Sequence, residues 1–137
     1  MIKWTEDLSV GNDMIDTQHR ELFERINNLI DAIKTQTCKL VIGDTTKFLE
    51  DYVVTHFSDE EKFMSEMSYP GLPAHKAQHE HFMREFARLK DELRGESSSY
   101  TRSVLTNQIV VDWIVDHINQ IDKAYGKFLK ERAGASQ

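Results

Sequence analysis

Four stretches of this chain repeat apolar residues at steps of three and four, the spacing of an amphipathic helix. The first stretch follows Asp16, which we predict as its N-cap. Its apolar positions are Leu22, Phe23, Ile26, Leu29, Ile30 and Ile33. We predict a second helix from roughly Thr45 to Met67, after a turn at Gly43-Asp44, and Pro70 prevents it from continuing.

The second half of the chain repeats this pattern twice. Pro73 suits the first turn of a third helix, which carries Phe82, Phe86, Leu89 and Leu93. A polar link from Gly95 to Ser99 offers serine caps for a fourth helix, from about Tyr100 to Arg132. The links are short and no strand pattern separates the helices. We therefore predict an all-α fold, an up-down-up-down antiparallel four-helix bundle.

Both ends of the chain lack this periodicity. The turn-forming residues Gly11, Asn12 and Asp13 predict an N-terminal arm over residues 1–16, lying on a bundle of about residues 17–132. We expect the link from Thr35 to Gly43 to be non-helical and residues 133–137 to be frayed. The length of 137 residues suits a single domain, residues 1–137.

Composition excludes several classes of function. The 17 Lys and Arg residues against 23 Asp and Glu give a net charge of −6, so no basic surface is available for nucleic acid. The single cysteine, Cys38, excludes an internal disulfide framework and fits a reducing compartment. No apolar run approaches the length of a membrane span, and the first residues do not form a signal peptide. We expect a cytoplasmic protein that binds neither membrane nor nucleic acid.

Each predicted helix also carries polar residues on its apolar stripe. They are His19 on the first helix, His56 and Glu60 on the second, His75 and His79 on the third, and His117 on the fourth. A single such histidine is usually an ordinary hydrogen-bonded core residue. A set on every helix is different, because inward side chains converge in a bundle and metal sites are built there. Only His81 is left outside this set.

The number of these side chains predicts more than one metal ion. Five imidazoles and a carboxylate exceed the ligands that one ion takes, and their chemistry suits iron, zinc or copper. A second carboxylate would come from Asp116 or Asp122. On an ideal helix Asp116 points about 100° from His117 and Asp122 about 140° from it, so geometry leaves both open.

The motifs Asp16-x-Gln18-His19, His56-Phe57-x-x-Glu60-Glu61, His75-x-x-x-His79 and Trp113-Ile114-x-x-His117-Ile118-x-x-x-Asp122 resemble those of the hemerythrin family, in particular its single-domain bacterial forms, the bacteriohemerythrins. The resemblance extends from Trp4 to about Phe128 and fills all seven ligand positions of the family with the expected residue types.

This resemblance implies two non-haem irons joined by two carboxylates and an oxo or hydroxo group. It implies His75, His79 and His117 on one iron, His19 and His56 on the other, and Glu60 and Asp122 as bridges. It thus favours Asp122 over Asp116. We hypothesise a locally widened, π-type turn near Asn119, which would turn Asp122 inward.

The resemblance also implies an apolar oxygen pocket and a function. The pocket positions are Leu22, Phe57, Trp113, Ile114 and Ile118. The implied function is non-enzymatic, reversible dioxygen binding for storage, transport or delivery to an oxygen-consuming enzyme. Glu61 and His81 are expected to face solvent, and Gln18 either bonds near the site or lies in water.

The sequence leaves two other functions open. One is oxygen or redox sensing through a separate signalling partner, for which the arm around Trp4 would be the contact surface. The other is a di-iron oxidase or peroxidase. Ferritin-like oxidases generally use two Glu-x-x-His motifs, and this chain places none on its core stripe, which favours binding over oxidation.

Overall fold

The computed structural model describes residues 2–35 and 38–135, and in that part of the chain four helical rods pack in sequence order. The first three rods are α1 (Asp13–Lys34), α2 (Lys39–Glu66) and α3 (Leu72–Arg94). The fourth rod consists of α4 (Ser99–Thr106), a π segment Asn107–Val111, α5 (Asp112–His117), a π segment Ile118–Asp122 and α6 (Lys123–Ala135). The predicted all-α, up-down-up-down antiparallel four-helix bundle is confirmed.

The first helix begins earlier than predicted. Asn12 is the N-cap, and its side chain accepts a hydrogen bond from the backbone N–H of Ile15 at 3.0 Å. Asp16 therefore lies inside the helix, and its predicted role as N-cap is wrong. Its buried carboxylate instead accepts bonds from the backbone N–H of Val10 at 2.9 Å and the Ser9 hydroxyl at 2.5 Å. Asp16 thus fastens the arm to α1.

The second helix begins at Lys39, earlier than predicted, so Gly43 and Asp44 lie within α2 and the turn predicted there is wrong. Nothing lies within 4 Å of the Cβ that Gly43 lacks, and one helical glycine costs only about 1 kcal/mol relative to alanine. Buried Ile42 and Thr46 continue the inward stripe on either side of it. Residues 36 and 37 of the predicted link lie outside the described part.

The N-terminal arm packs against α1 and α6, the first and last helices of the bundle. Asn27 of α1 binds the backbone of Ile2 twice, and Arg20 covers the Trp4 ring at 4.0 Å. Farther along, the Val10 carbonyl presses against Gly126 of α6, where a Cβ would overlap its oxygen. The arm is therefore packed closely against the bundle.

The remaining boundaries follow local sequence signals. Ser98 caps α4 by accepting a hydrogen bond from the backbone N–H of Thr101 at 3.1 Å, as expected of the serines in the polar link. The fourth rod stays helical to Ala135, beyond the predicted start of fraying at residue 133, and residues 136 and 137 lie outside the described part. No helix in residues 2–35 and 38–135 combines the length and apolar character needed to cross a membrane.

Candidate metal centre

A layer of polar side chains interrupts the apolar core, and every residue in this layer is at most 3% exposed. It contains the seven residues singled out in the sequence: His19, His56, Glu60, His75, His79, His117 and Asp122. Each of the four rods contributes at least one of them. The predicted inward orientation of all seven is thus observed.

The seven side chains form two overlapping groups. The first group is Glu60, His75, His79, His117 and Asp122, and the second is His19, His56, Glu60 and Asp122. Within each group, one ligand atom per residue lies within 4.8 Å of every other. Glu60 and Asp122 belong to both groups, so the arrangement has two adjacent positions that share two carboxylates.

The ligand atoms lie within ion-pair distance of one another but without hydrogen-bond geometry. His75 Nε2 lies 2.6 Å from Glu60 Oε1 and 2.9 Å from Asp122 Oδ1, and His19 Nε2 lies 3.0 Å from Asp122 Oδ2. Yet both oxygens of each carboxylate and Nε2 of His19, His75, His79 and His117 have no partner with hydrogen-bond geometry. A buried polar atom left unpaired costs about 1–3 kcal/mol. Cations bound between these atoms would remove that cost, so the residues fit a two-cation site.

Asp122 reaches the site because the fourth rod widens beside it. The π segment Ile118–Asp122 closes its backbone hydrogen bonds over five residues instead of four, and it brings Asp122 Oδ1 within 3.1 Å of His117 Nε2. The hypothesised π-type turn near Asn119 is confirmed. Asp116, the alternative carboxylate, is exposed. The second π segment, Asn107–Val111, was not predicted.

Aromatic rings cover the three-histidine group. The Phe57 ring stacks on His79 with centroids 3.8 Å apart and planes inclined by 5°, and Trp113 stacks on His117 at 4.4 Å and 12°. The other three predicted pocket residues, Leu22, Ile114 and Ile118, are buried. Phe57 and Trp113 thus lie against two of the histidines, and Trp113 is partly exposed. For Leu22, Ile114 and Ile118 the structure shows burial, and their place in an oxygen pocket stays a prediction.

Two of the histidines are held through their second ring nitrogen. Gln18 Oε1 lies 2.7 Å from His56 Nδ1, and the Gln18 amide also donates to Asp59 at 3.0 Å. Glu61 Oε2 lies 2.9 Å from His79 Nδ1. A hydrogen bond at Nδ1 fixes the ring so that Nε2 faces the metal position.

These contacts settle one open question and correct one prediction. Gln18 bonds within the site rather than lying in water. Glu61 was expected to face solvent, but its side chain is only 24% exposed because it bonds to His79 of the neighbouring helix. The available signal was that a ligating histidine needs a second partner. His81 is exposed, as predicted.

Burial and neighbouring charges shift the pKa values of these groups, most of them toward the protonation state that binds metal. Burial lowers the pKa of His56 to about 4 and also lowers the pKa of His117, so both are neutral near pH 7. Burial opposes ionisation of Glu60 and Asp122, but the surrounding histidines outweigh it and hold the pKa of both carboxyls below the ordinary value. His75 differs, because Asp122 and Glu60 outweigh its burial and raise its pKa to about 9.

Comparison with known proteins agrees with this geometry. The family model described as "Hemerythrin HHE cation binding domain" matches residues 10–129. A bacteriohemerythrin of Stenotrophomonas maltophilia is 34% identical over 132 residues, which are 95% of this chain and 82% of that protein. A bacteriohemerythrin of Methylococcus capsulatus is 32% identical over 94% of this chain and 97% of its own length.

A solved structure shows the same architecture. The crystal structure of a wild-type hemerythrin superimposes with a TM-score of 0.81 at 32% sequence identity, covering 93% of this chain and 96% of that one. The family model and the relatives both extend over nearly the whole chain, and the buried histidine and carboxylate layer fits a cation-binding domain. The chain therefore belongs to the hemerythrin family.

Proposed function

We propose that this chain holds two non-haem iron ions in its polar layer and binds dioxygen reversibly there. The observation that carries the proposal is the unequal division of histidines between two positions that share Glu60 and Asp122. His75, His79 and His117 serve one position, whereas His19 and His56 serve the other. The two-histidine position has one protein ligand fewer, so an ion bound there would keep one coordination position for a small diatomic molecule.

The ligand roles follow from this division. We assign His75, His79 and His117 to one iron, His19 and His56 to the other, and Glu60 and Asp122 as bridges, with an oxo or hydroxo group completing the centre. Bound iron would supply the electrons that reversible dioxygen binding requires. Imidazole and carboxylate donors suit iron, and neither ligand group contains a cysteine thiolate that would favour another metal.

The surrounding residues would keep the site dry. Ile118 is fully buried, and Leu22 and Ile114 are 1% and 4% exposed. Phe57 and Trp113 close the side occupied by His79 and His117 through ring stacking. Apolar walls exclude water, which would otherwise promote oxidation of the centre and loss of bound oxygen.

We place this activity in storage, transport or delivery of dioxygen rather than in catalysis. The relatives named bacteriohemerythrin support oxygen binding as the shared property. The partner of such a store would be an oxygen-consuming enzyme, to which it would deliver dioxygen. The exposed Cys38 thiol, the only cysteine of the sequence, fits the reducing cytoplasm as its location.

The absorption spectrum of the iron-loaded protein tests the proposal. Anaerobically purified protein should contain two irons per chain, gain a charge-transfer band in air and lose it again under vacuum. His75→Ala should lose iron, whereas His81→Ala, at an exposed histidine, should retain it. Absence of stoichiometric iron would refute the proposal. Irreversible bleaching with turnover of an added reductant would instead indicate a di-iron oxidase.

A further inference from the structure

A surface groove between α2 and α3 reaches the edge of the metal centre. It has a volume of about 340 Å³, and its walls include Val54, Phe57, Glu61, His79 and Glu80. The His79 side chain is 3% exposed, while that of Glu61, bonded to it, is 24% exposed. The hydrogen bond between them therefore lies at the boundary between the buried layer and solvent.

The two metal positions have unlike partners behind their histidines. His79, in the three-histidine group, bonds at Nδ1 to the carboxylate of Glu61 at 2.9 Å. His56, in the two-histidine group, bonds at Nδ1 to the neutral amide of Gln18 at 2.7 Å. The amide cannot act as a carboxylate does, because it carries no net charge and its own N–H is used by Asp59.

This difference has an electronic consequence at the metal. A carboxylate that accepts the Nδ1–H bond of a ligating imidazole raises the basicity of the ring and strengthens Nε2 as a donor. A stronger donor and a nearby negative charge both stabilise the more highly charged oxidation state of the metal. A neutral amide in the same place provides much less of this effect.

The packing of His79 allows the electronic effect of Glu61 to be tested apart from its effect on the orientation of the His79 ring. The Phe57 ring lies against the face of His79 at 3.8 Å and nearly parallel to it, so the imidazole is clamped independently of Glu61. Replacing Glu61 by glutamine keeps an acceptor oxygen of the same reach and removes only the charge. The ring is therefore expected to stay in place in that variant.

Resting on the proposed function, we propose that Glu61 is a positioning residue that acts through His79 to lower the reduction potential of the three-histidine iron. Its carboxylate makes that iron easier to oxidise than the iron held by His19 and His56. Glu61 thereby favours transfer of electron density to bound dioxygen, and it also sets how readily the centre oxidises without release of oxygen.

A redox titration of the iron-loaded protein tests this inference. Glu61→Gln should shift the midpoint potential to more positive values and slow autoxidation. The matched control is Glu80→Gln, which removes the same charge from the same groove. Glu80 is exposed, and among the described residues its carboxylate has no hydrogen bond to a histidine. Equal potentials in Glu61→Gln and Glu80→Gln would overturn the inference.

Zinc affinity supplies a second measurement that needs neither iron nor oxygen. In competition with a chromogenic chelator, Glu61→Ala should bind Zn²⁺ at least about tenfold more weakly than the parent, because loss of such a partner typically costs 10- to 100-fold in affinity. Glu61→Gln should recover only part of that loss, because its amide keeps the hydrogen bond to His79 but lacks the charge that strengthens Nε2 as a donor. Unchanged affinity in Glu61→Ala would count against the role of Glu61. Failure of the parent to load iron or cycle with air would instead refute the proposed function.

Discussion

Asp122 Oδ1 lies 3.1 Å from His117 Nε2, although the two residues are five positions apart on one continuous rod. In an ideal α-helix their directions would differ by about 140°. The π segment Ile118–Asp122 absorbs one extra residue and turns both side chains into the same layer. The geometry of the site therefore depends on a local departure from α-helical structure.

Deleting Asn119 should leave the polar layer intact. The deletion removes the extra residue from the π segment, and the resulting spacing of four also aligns His117 with the Asp122 carboxylate on an α-helix. Asn119 is exposed, so no core contact is lost. We expect the variant to bind zinc with the stoichiometry of the parent.

The control is deletion of Asp116, which is exposed but belongs to the α-helical segment α5. That deletion rotates the preceding part of the rod by about 100° relative to the site, so zinc binding should be lost or strongly weakened. If deletion of Asn119 abolishes zinc binding while helicity is retained, the extra residue has a role beyond register.

Gly126→Ala should destabilise the protein by about 1–3 kcal/mol or more. The added methyl would overlap the Val10 carbonyl oxygen, and a backbone atom held by the Asp16 contacts cannot move aside cheaply. Gly43→Ala is the matched control, because nothing lies near its Cβ and alanine should stabilise α2 by about 0.5–1 kcal/mol. Urea unfolding of both variants measures the difference. Equal stability would mean that the arm is not packed against α6.

Ile118→Ala should hold iron but autoxidise faster than the parent. Removing this fully buried side chain beside the layer opens a cavity that admits water. Ile42→Ala truncates a side chain that is 1% exposed and belongs to the distant N-terminal part of α2. Both variants should lose about 2–5 kcal/mol of stability. Autoxidation followed by absorbance should accelerate in Ile118→Ala only, and similar rates in both would remove Ile118 from the pocket.

Zinc binding should release a proton from His75 at pH 7 to 8. The pKa of His75 in the metal-free protein is about 9, so its ring is protonated there, whereas a ligating imidazole must be neutral. His56, with a pKa of about 4, has no proton to release in this range. Calorimetric titrations in buffers of different ionisation enthalpy give the number of protons.

The release should vanish as the pH rises through 9, because the metal-free ring is then already neutral. His75 also contributes stability to the metal-free protein that is present below its unfolded pKa of about 6.5 and lost as the pH rises through about 9. A proton count that does not change between pH 7 and pH 10 would contradict this assignment.

Much of the fold and of the polar layer could be predicted from the sequence, because both depend on the helical repeat of inward-facing positions. The inward stripe of each helix fixes which residues face the core, so His19, His56, His75 and His117 could be placed there without a structure. The choice of Asp122 over Asp116 could not be made this way. It depends on a π segment, for which the resemblance to a family, and not helical geometry, gave the expectation.

The errors arose where tertiary contacts decide. Asp16 is a good N-cap residue by type, but Asn12 takes that place and Asp16 binds the arm. Gly43 resembles a turn signal, yet buried neighbours on both sides keep α2 continuous. The role of Glu61 depends on His79, a residue of another helix. His79 lies 18 residues from Glu61 and on another helix, so local patterns could not identify that contact.

The polar layer joins residues from nearly opposite ends of the chain, since His19 and Asp122 meet at 3.0 Å. Ions bound there would close most of the polypeptide into one large loop, and the entropy that such a cross-link removes from the unfolded state grows with loop length. With a single cysteine, the chain cannot obtain this restraint from an internal disulfide. Under the proposed function, iron scarcity in the cell would leave more of the protein open to proteases, and its steady-state level would follow the supply of iron.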